Sequence, residues 1–104
     1  MSDKEKKEYL ELYLIQAPKI TRLSELMRSN PFASRRYIKQ IRAARKLKKD
    51  IENCVEKVDG GLLSEVLGQK YLCGKSLEEI ASTLNYSKRH IERLHINALK
   101  SFKK

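Results

Sequence analysis

Gly74-Lys75-Ser76-Leu77-Glu78-Glu79-Ile80-Ala81-Ser82-Thr83-Leu84-Asn85-Tyr86-Ser87 is the stretch on which the fold turns. Ser76 with Glu79 three residues on predicts a capping box, in which hydroxyl and carboxylate reciprocally satisfy the free N–H groups of a new helix. Leu77, Ile80, Ala81 and Leu84 then recur at three- and four-residue spacing, an apolar stripe on a helix of about two turns. Asn85 falls where that helix must end, and asparagine tolerates the left-handed conformation better than most residues. Ser87 is an N-cap for a second, longer helix with Ile91, Leu94, His95, Ala98, Leu99 and Phe102 on one face. Two helices across a tight turn, the second opening with Lys88, Arg89, His90 and Arg93, read as a helix-turn-helix.

Working outward, Leu62, Leu63, Val66, Leu67, Tyr71 and Leu72 predict a preceding helix, closed by Gly74 in a left-handed cap. Gly68 weakens that helix by about 1 kcal/mol relative to alanine, which suggests a close approach by a neighbouring helix. Ser76-Leu77-Glu78-Glu79-Ile80-Ala81, Leu84, Ser87 and Ile91-Glu92-Arg93-Leu94-His95-Ile96-Asn97-Ala98-Leu99-Lys100 together resemble the fourth region of bacterial sigma factors. That region reads the upstream promoter element. The Arg93-Leu94-His95-x-x-Ala98-Leu99 version is more similar still to small phage and prophage transcriptional regulators of the ArpU and RinA type. The resemblance covers residues 62 to 102. Nothing in the first 60 residues resembles the promoter-melting region of a sigma factor, so an accessory regulator fits better than a complete sigma factor.

The expected fold is all-α: a long-helix hairpin or coiled coil over residues 1–59, then a helix-turn-helix domain over residues 60–104. A length of 104 residues bounds the chain to one domain, or a small domain with a helical appendage. A net charge of +10 calls for a polyanionic partner, most simply nucleic acid. The absence of a long apolar run, a signal sequence or a lipidation motif argues against a membrane and makes the cytoplasm the expected location. Cys54 and Cys73 lack metal-ligand spacing with His90 and His95 and read as buried free thiols. The sequence holds no nucleophile elbow, phosphate-binding glycine loop, facing carboxylates or metal motif, so neither an enzyme nor a cofactor is expected.

In the N-terminal part, Tyr9, Leu10, Leu12, Tyr13, Leu14 and Ile15 form a dense apolar run, continued by Ile20, Leu23, Leu26 and Met27. Pro18 predicts a kink or a restart between two helical pieces. Ser29-Asn30-Pro31 predicts a break, with Ser34 capping the next helix. Ile41, Ala44, Lys48, Ile51, Val55 and Val58 then form a seam with one polar position. That seam needs a cover, either residues 8 to 27 or a second copy of the chain; the run from Tyr9 to Ile15 also exceeds what one hairpin face can bury. A homodimer is the expectation. Asp59-Gly60-Gly61 reads as a domain boundary with a flexible hinge.

The base-reading candidates are Lys88, Arg89, Glu92 and Arg93, with His90 at the edge. Arginine and lysine donate to guanine, and glutamate accepts from cytosine. The sigma-like resemblance supports Lys88, Arg89 and Arg93 in this role. Phosphate candidates are Lys75, Ser76 and Leu77 at a helix N-terminus, with Ser87 and the Tyr86 hydroxyl. The Tyr86 ring is expected to pack on Leu84 and Ile91. His95, on the apolar stripe, reads as a hydrogen-bonded core residue. Arg28, Arg35, Arg36, Lys39, Arg42, Arg45, Lys46, Lys48 and Lys49 run without an acidic residue, either a solvated face or a second phosphate-contacting surface. The leading expectation is a regulator of double-stranded DNA. The alternatives are a sigma-like adaptor on RNA polymerase and a non-specific nucleic-acid-binding protein.

Overall fold

The computed structural model describes residues 1–104, and every regular element in it is helical. Helix α1 (Asp3–Glu11) is capped by Ser2, whose side chain accepts from the Glu5 amide. Helix α2 (Tyr13–Ser29) follows after a single residue, and α3 (Ser34–Glu56) after a 3-10 turn over Pro31–Ala33. Helix α4 (Gly61–Leu67) runs into a π-helical turn over Gly68–Leu72, and α5 (Leu77–Leu84) and α6 (Lys88–Ser101) complete the chain. The molecule is elongated, with principal extents of 53 × 26 × 21 Å.

The break in the N-terminal region lies at Leu12, not at Pro18, which sits inside α2. At Leu12 the ladder tightens to i→i+3 bonds, Leu12 N–H to Tyr9 and Ile15 N–H to the Leu12 carbonyl. The buried Gln16 side chain then donates to that same Leu12 carbonyl at 2.8 Å. Pro18 faces solvent, as does Leu14, whose carbonyl loses its amide partner to the ring. Water can satisfy that carbonyl, so packing of α2 along α3 carries the helix through the proline. Tyr13 fastens the start of α2 to α3. Its hydroxyl donates to Glu52 at 2.5 Å, which pushes its pKa up to about 12, and Lys48 Nζ lies 5.3 Å from its ring centroid.

Ser34 does not cap α3; it lies inside the first turn, because Pro31–Ala33 already winds as a helix and Ala33 takes the cap position without a side-chain bond. The seam does face inward: Ile41, Ala44, Ile51, Val55 and Val58 are buried, and Lys48 is half-buried. Its cover comes from the chain itself. Along its first half α3 packs on α2. Its second half enters a cluster in which Tyr9, Leu10, Ile51, Val55 and Val58 meet Leu67, Tyr71, Ala98, Leu99 and Phe102. Residues 1–59 and 60–104 therefore share one core, and the turn at Gly60 (φ 86°) marks a change of direction within it. Ser64 reinforces the junction by donating its hydroxyl to the Val55 carbonyl at 2.9 Å.

A smaller cluster of Val66, Ile80, Ala81 and Ile91, with Leu77, Leu84 and Leu94 against it, joins α4, α5 and α6. Two expectations about the stretch that follows α4 need correction. Gly68 has no close neighbour: a Cβ built there meets nothing within 4 Å. Its carbonyl instead accepts from Cys73 N–H, five residues on, which opens the π turn. Cys73 is exposed rather than buried, because the wider turn rotates it off the apolar side, while Cys54 is half-buried. Gly68 has φ −60° and ψ −48°, which alanine adopts without strain. Gly68→Ala is therefore expected to raise stability by about 0.5–1 kcal/mol, read as a higher urea midpoint.

Candidate nucleic-acid interface

Local sequence sets the geometry of α5 and α6 at four positions. Ser76 Oγ accepts from Glu79 N–H at 3.2 Å while Glu79 Oε1 accepts from Ser76 N–H at 3.3 Å, closing the capping box. Asn85 takes φ 60° and ψ 39°, and the Tyr86 amide returns to the Ala81 carbonyl at 3.0 Å, which ends α5. Ser87 Oγ accepts from His90 N–H at 3.2 Å and starts α6. Between the helices stand only Asn85, Tyr86 and Ser87, with asparagine in the left-handed place often given to glycine.

Helix α6 has two unlike sides. Ile91, His95, Ala98 and Leu99 are buried against α1, α4 and α5, while Lys88, Arg89, Glu92 and Arg93 are exposed and His90 is half-exposed. Ile96 and Asn97, also exposed, extend that outer side by one turn. Sequence reasoning confined to the first turns passed over Ile96. It lies four residues after Glu92 and three after Arg93, a spacing that marks the same face. Lys88 is turned back toward α5, where Nζ donates to Glu78 Oε1 at 3.0 Å. That hydrogen bond raises the Lys88 pKa, but both partners are open to water and the pair adds little stability.

The phosphate candidates divide. Lys75 is half-buried, and its main-chain N–H is spent on the Gln69 carbonyl. Both polar groups of Ser76 are engaged in the capping box, and Leu77 turns its side chain into the smaller core and leaves only its amide available. Glu78 and Glu79 occupy the first turn of α5, so their charge opposes an approaching phosphate. The start of α6 carries no acidic residue in its first turn and has Ser87, Lys88 and Arg89 there instead. The Tyr86 ring is 41% exposed and rests on His90, 4.7 Å between centroids, and no hydrogen bond within the chain occupies its hydroxyl.

His95 sits beneath this surface, 5% exposed, with Nε2 sharing a 2.7 Å hydrogen bond with the Tyr71 hydroxyl. Burial foremost, then the charges of Lys70 and Lys7, lowers its pKa to about 4. The far end of α6 is held by α1. Lys6 Nζ donates to the Leu99 carbonyl at 2.7 Å, a cation at a helix C-terminus, and the Tyr9 ring lies 6.1 Å from that of Phe102.

On α3, Arg35, Arg36, Lys39, Arg42, Arg45, Lys46 and Lys49 are all exposed, and none lies within ion-pair distance of a carboxylate. No group of three His, Cys, Asp or Glu side chains comes together as a metal site, and no helix is long and apolar enough to cross a membrane. No protein-family model, curated protein or solved structure matches the chain.

Proposed function

We propose that this chain is a sequence-specific regulator that binds double-stranded DNA through a sigma-region-four-like helix-turn-helix, with α6 as the recognition helix. The observation that carries this reading is the outer side of α6, where Arg89, Glu92 and Arg93 stand exposed at a helix start with no competing acid in its first turn. A recognition helix enters the major groove with its N-terminal turns, where arginine pairs with guanine and an apolar side chain such as Ile96 meets a thymine methyl. The basic face of α3 supplies further phosphate neutralisation without reading sequence.

Selection of bound sequences from a random duplex pool tests the proposal. On the selected site Arg89→Ala and Arg93→Ala are each expected to weaken binding by about 1–3 kcal/mol while barely changing affinity for random duplex. Equal losses on both duplexes would place these arginines on phosphates, and a pool that yields no preferred sequence would reject the regulator.

A homodimer, if the regulator uses one, forms through a surface other than the α3 seam, because α2 and the C-terminal helices already cover that seam. Leu14 and Ile15 of α2 remain 48% and 56% exposed and offer such a surface. Sedimentation at micromolar concentration decides: a dimer that Leu14→Lys with Ile15→Lys converts to monomer supports this surface, and a wild-type monomer removes the homodimer.

A further inference from the structure

The turn between α2 and α3 holds the most exposed apolar side chain in the molecule. Phe32 is 102% exposed, so its ring touches nothing in its own fold. The turn that holds it is well defined: Pro31 opens a 3-10 turn, Ala33 N–H donates to the Asn30 carbonyl at 3.2 Å, and α3 begins at Ser34. The turn already holds the backbone beneath the ring, so covering it orders only the side chain's own torsions. The charge around it is of one sign. Between Glu25 and Asp50 the chain has no acidic residue, and Arg28, Arg35, Arg36 and Lys39 stand exposed about the turn. The positive run continues along α3 to Lys49, about 21 Å beyond Arg35, where Asp50 ends it.

We infer that the α2–α3 turn is a second duplex-DNA contact, at which Phe32 wedges between neighbouring base pairs while the arginines beside it neutralise the flanking phosphates. Apolar wedges backed by basic side chains are a known device for unstacking a base step and kinking a duplex. Two features favour a duplex over an anionic membrane. The cations from Arg35 to Lys49 follow a line of about 21 Å, about six base pairs of a rod-shaped polyanion. The exposed apolar part at this end is the Phe32 ring with the partly exposed Leu26 and Ile38 on the flanking helices, short of the broad apolar face by which amphipathic helices lie in lipid. The inference rests on the DNA-binding reading but concerns another surface and adds deformation of the duplex to recognition.

The test uses the full chain and a random-sequence duplex labelled at both ends for energy transfer, with 2-aminopurine placed along it to report unstacking. The wild type is expected to shorten the end-to-end distance and raise 2-aminopurine fluorescence. Phe32→Ala is expected to lose both signals and about tenfold in affinity, Phe32→Trp to retain them, and both variants to melt at the wild-type temperature. An unchanged Phe32→Ala signal overturns the inference, whether or not selected-site preference survives. A Phe32-dependent bend with no preferred sequence upholds it while the sequence-specific reading fails. Phe32-dependent binding to phosphatidylserine vesicles, with no effect on duplex, also overturns it and assigns the tip to a membrane.

Discussion

Replacing Phe102 with alanine is expected to destabilise the entire chain by about 3–5 kcal/mol, the range for emptying a buried aromatic site. Phe102 follows the last helical residue of α6, yet it is fully buried within the larger core cluster, against α1, α3 and α4 together. Its loss leaves a hole that three helices cannot close without giving up other contacts. Urea unfolding followed by helical circular dichroism should show one transition, displaced as a whole to lower denaturant. A similar outcome is expected for charges on α3. Ile51→Glu with Val55→Glu places two carboxylates at positions 0% and 2% exposed, and burial of unpaired charge is among the most destabilising changes available. The expected product is an unfolded chain. A folded C-terminal unit surviving that substitution would show that residues 60–104 do not depend on the shared core.

The second large effect concerns acid. His95 has a pKa of about 4 in the folded protein and an ordinary value near 6.5 when unfolded. Between those values the unfolded chain binds the proton and the folded chain does not. Stability is therefore complete above about pH 6.5 and falls as pH drops toward 4, by about 2–3 kcal/mol over the interval. Carboxylates add their own pH dependence, so the measurement is a comparison. His95→Gln is expected to be less stable than wild type at pH 7 and to lose the part of the slope between pH 6.5 and 4. Parallel stability curves for the two proteins would mean that His95 takes up its proton without leaving Tyr71. Because the histidine sits on the inner side of α6, the same acidification is expected to loosen the helix whose outer side carries Arg89 and Arg93.

How much of this was legible in the sequence depended on how local the causes are. Ser76 with Glu79, Asn85 and Ser87 each act on backbone within five residues, and those boundaries fell where the sequence put them. The inward stripe on α6 was equally readable, His95 included, because a histidine at core spacing needs only one partner. Pro18 misled because its clash is local but its remedy is not: the exposed side of α2 can hydrate a carbonyl while the other side is held by α3. Gly68 misled in the same manner, since low helix propensity fits a π turn as well as a close crossing. The seam from Ile41 to Val58 announced that it would be covered, but nothing within α3 says by what. Only the assembled cluster shows that Ala98, Leu99 and Phe102 share that cover with the N-terminal helices, where the sequence had left residues 8 to 27 and a second chain as the two choices. At the surface Arg89, Arg93 and the α3 cations other than Lys48 are exposed, Lys75 is half-buried, and Phe32 stands out only once the turn leaves it without neighbours.

The bond from Lys6 to the Leu99 carbonyl joins residues 93 apart along the chain. The α2–α3 turn and the α5–α6 turn each close over a few residues, which is fast and entropically cheap, whereas bringing α1 onto α6 requires almost the full contour to be closed. Docking of α1 is thus the most topologically distant step of folding, and its reversal is a natural first opening. When it opens, the end of α6 loses its cation and Phe102 loses the Tyr9 ring, although the capped turn at Ser87 remains intact. The helix that carries the proposed reading surface is consequently anchored by sequence-near bonds at one end and at the other by a core that the chain's most distant closure completes.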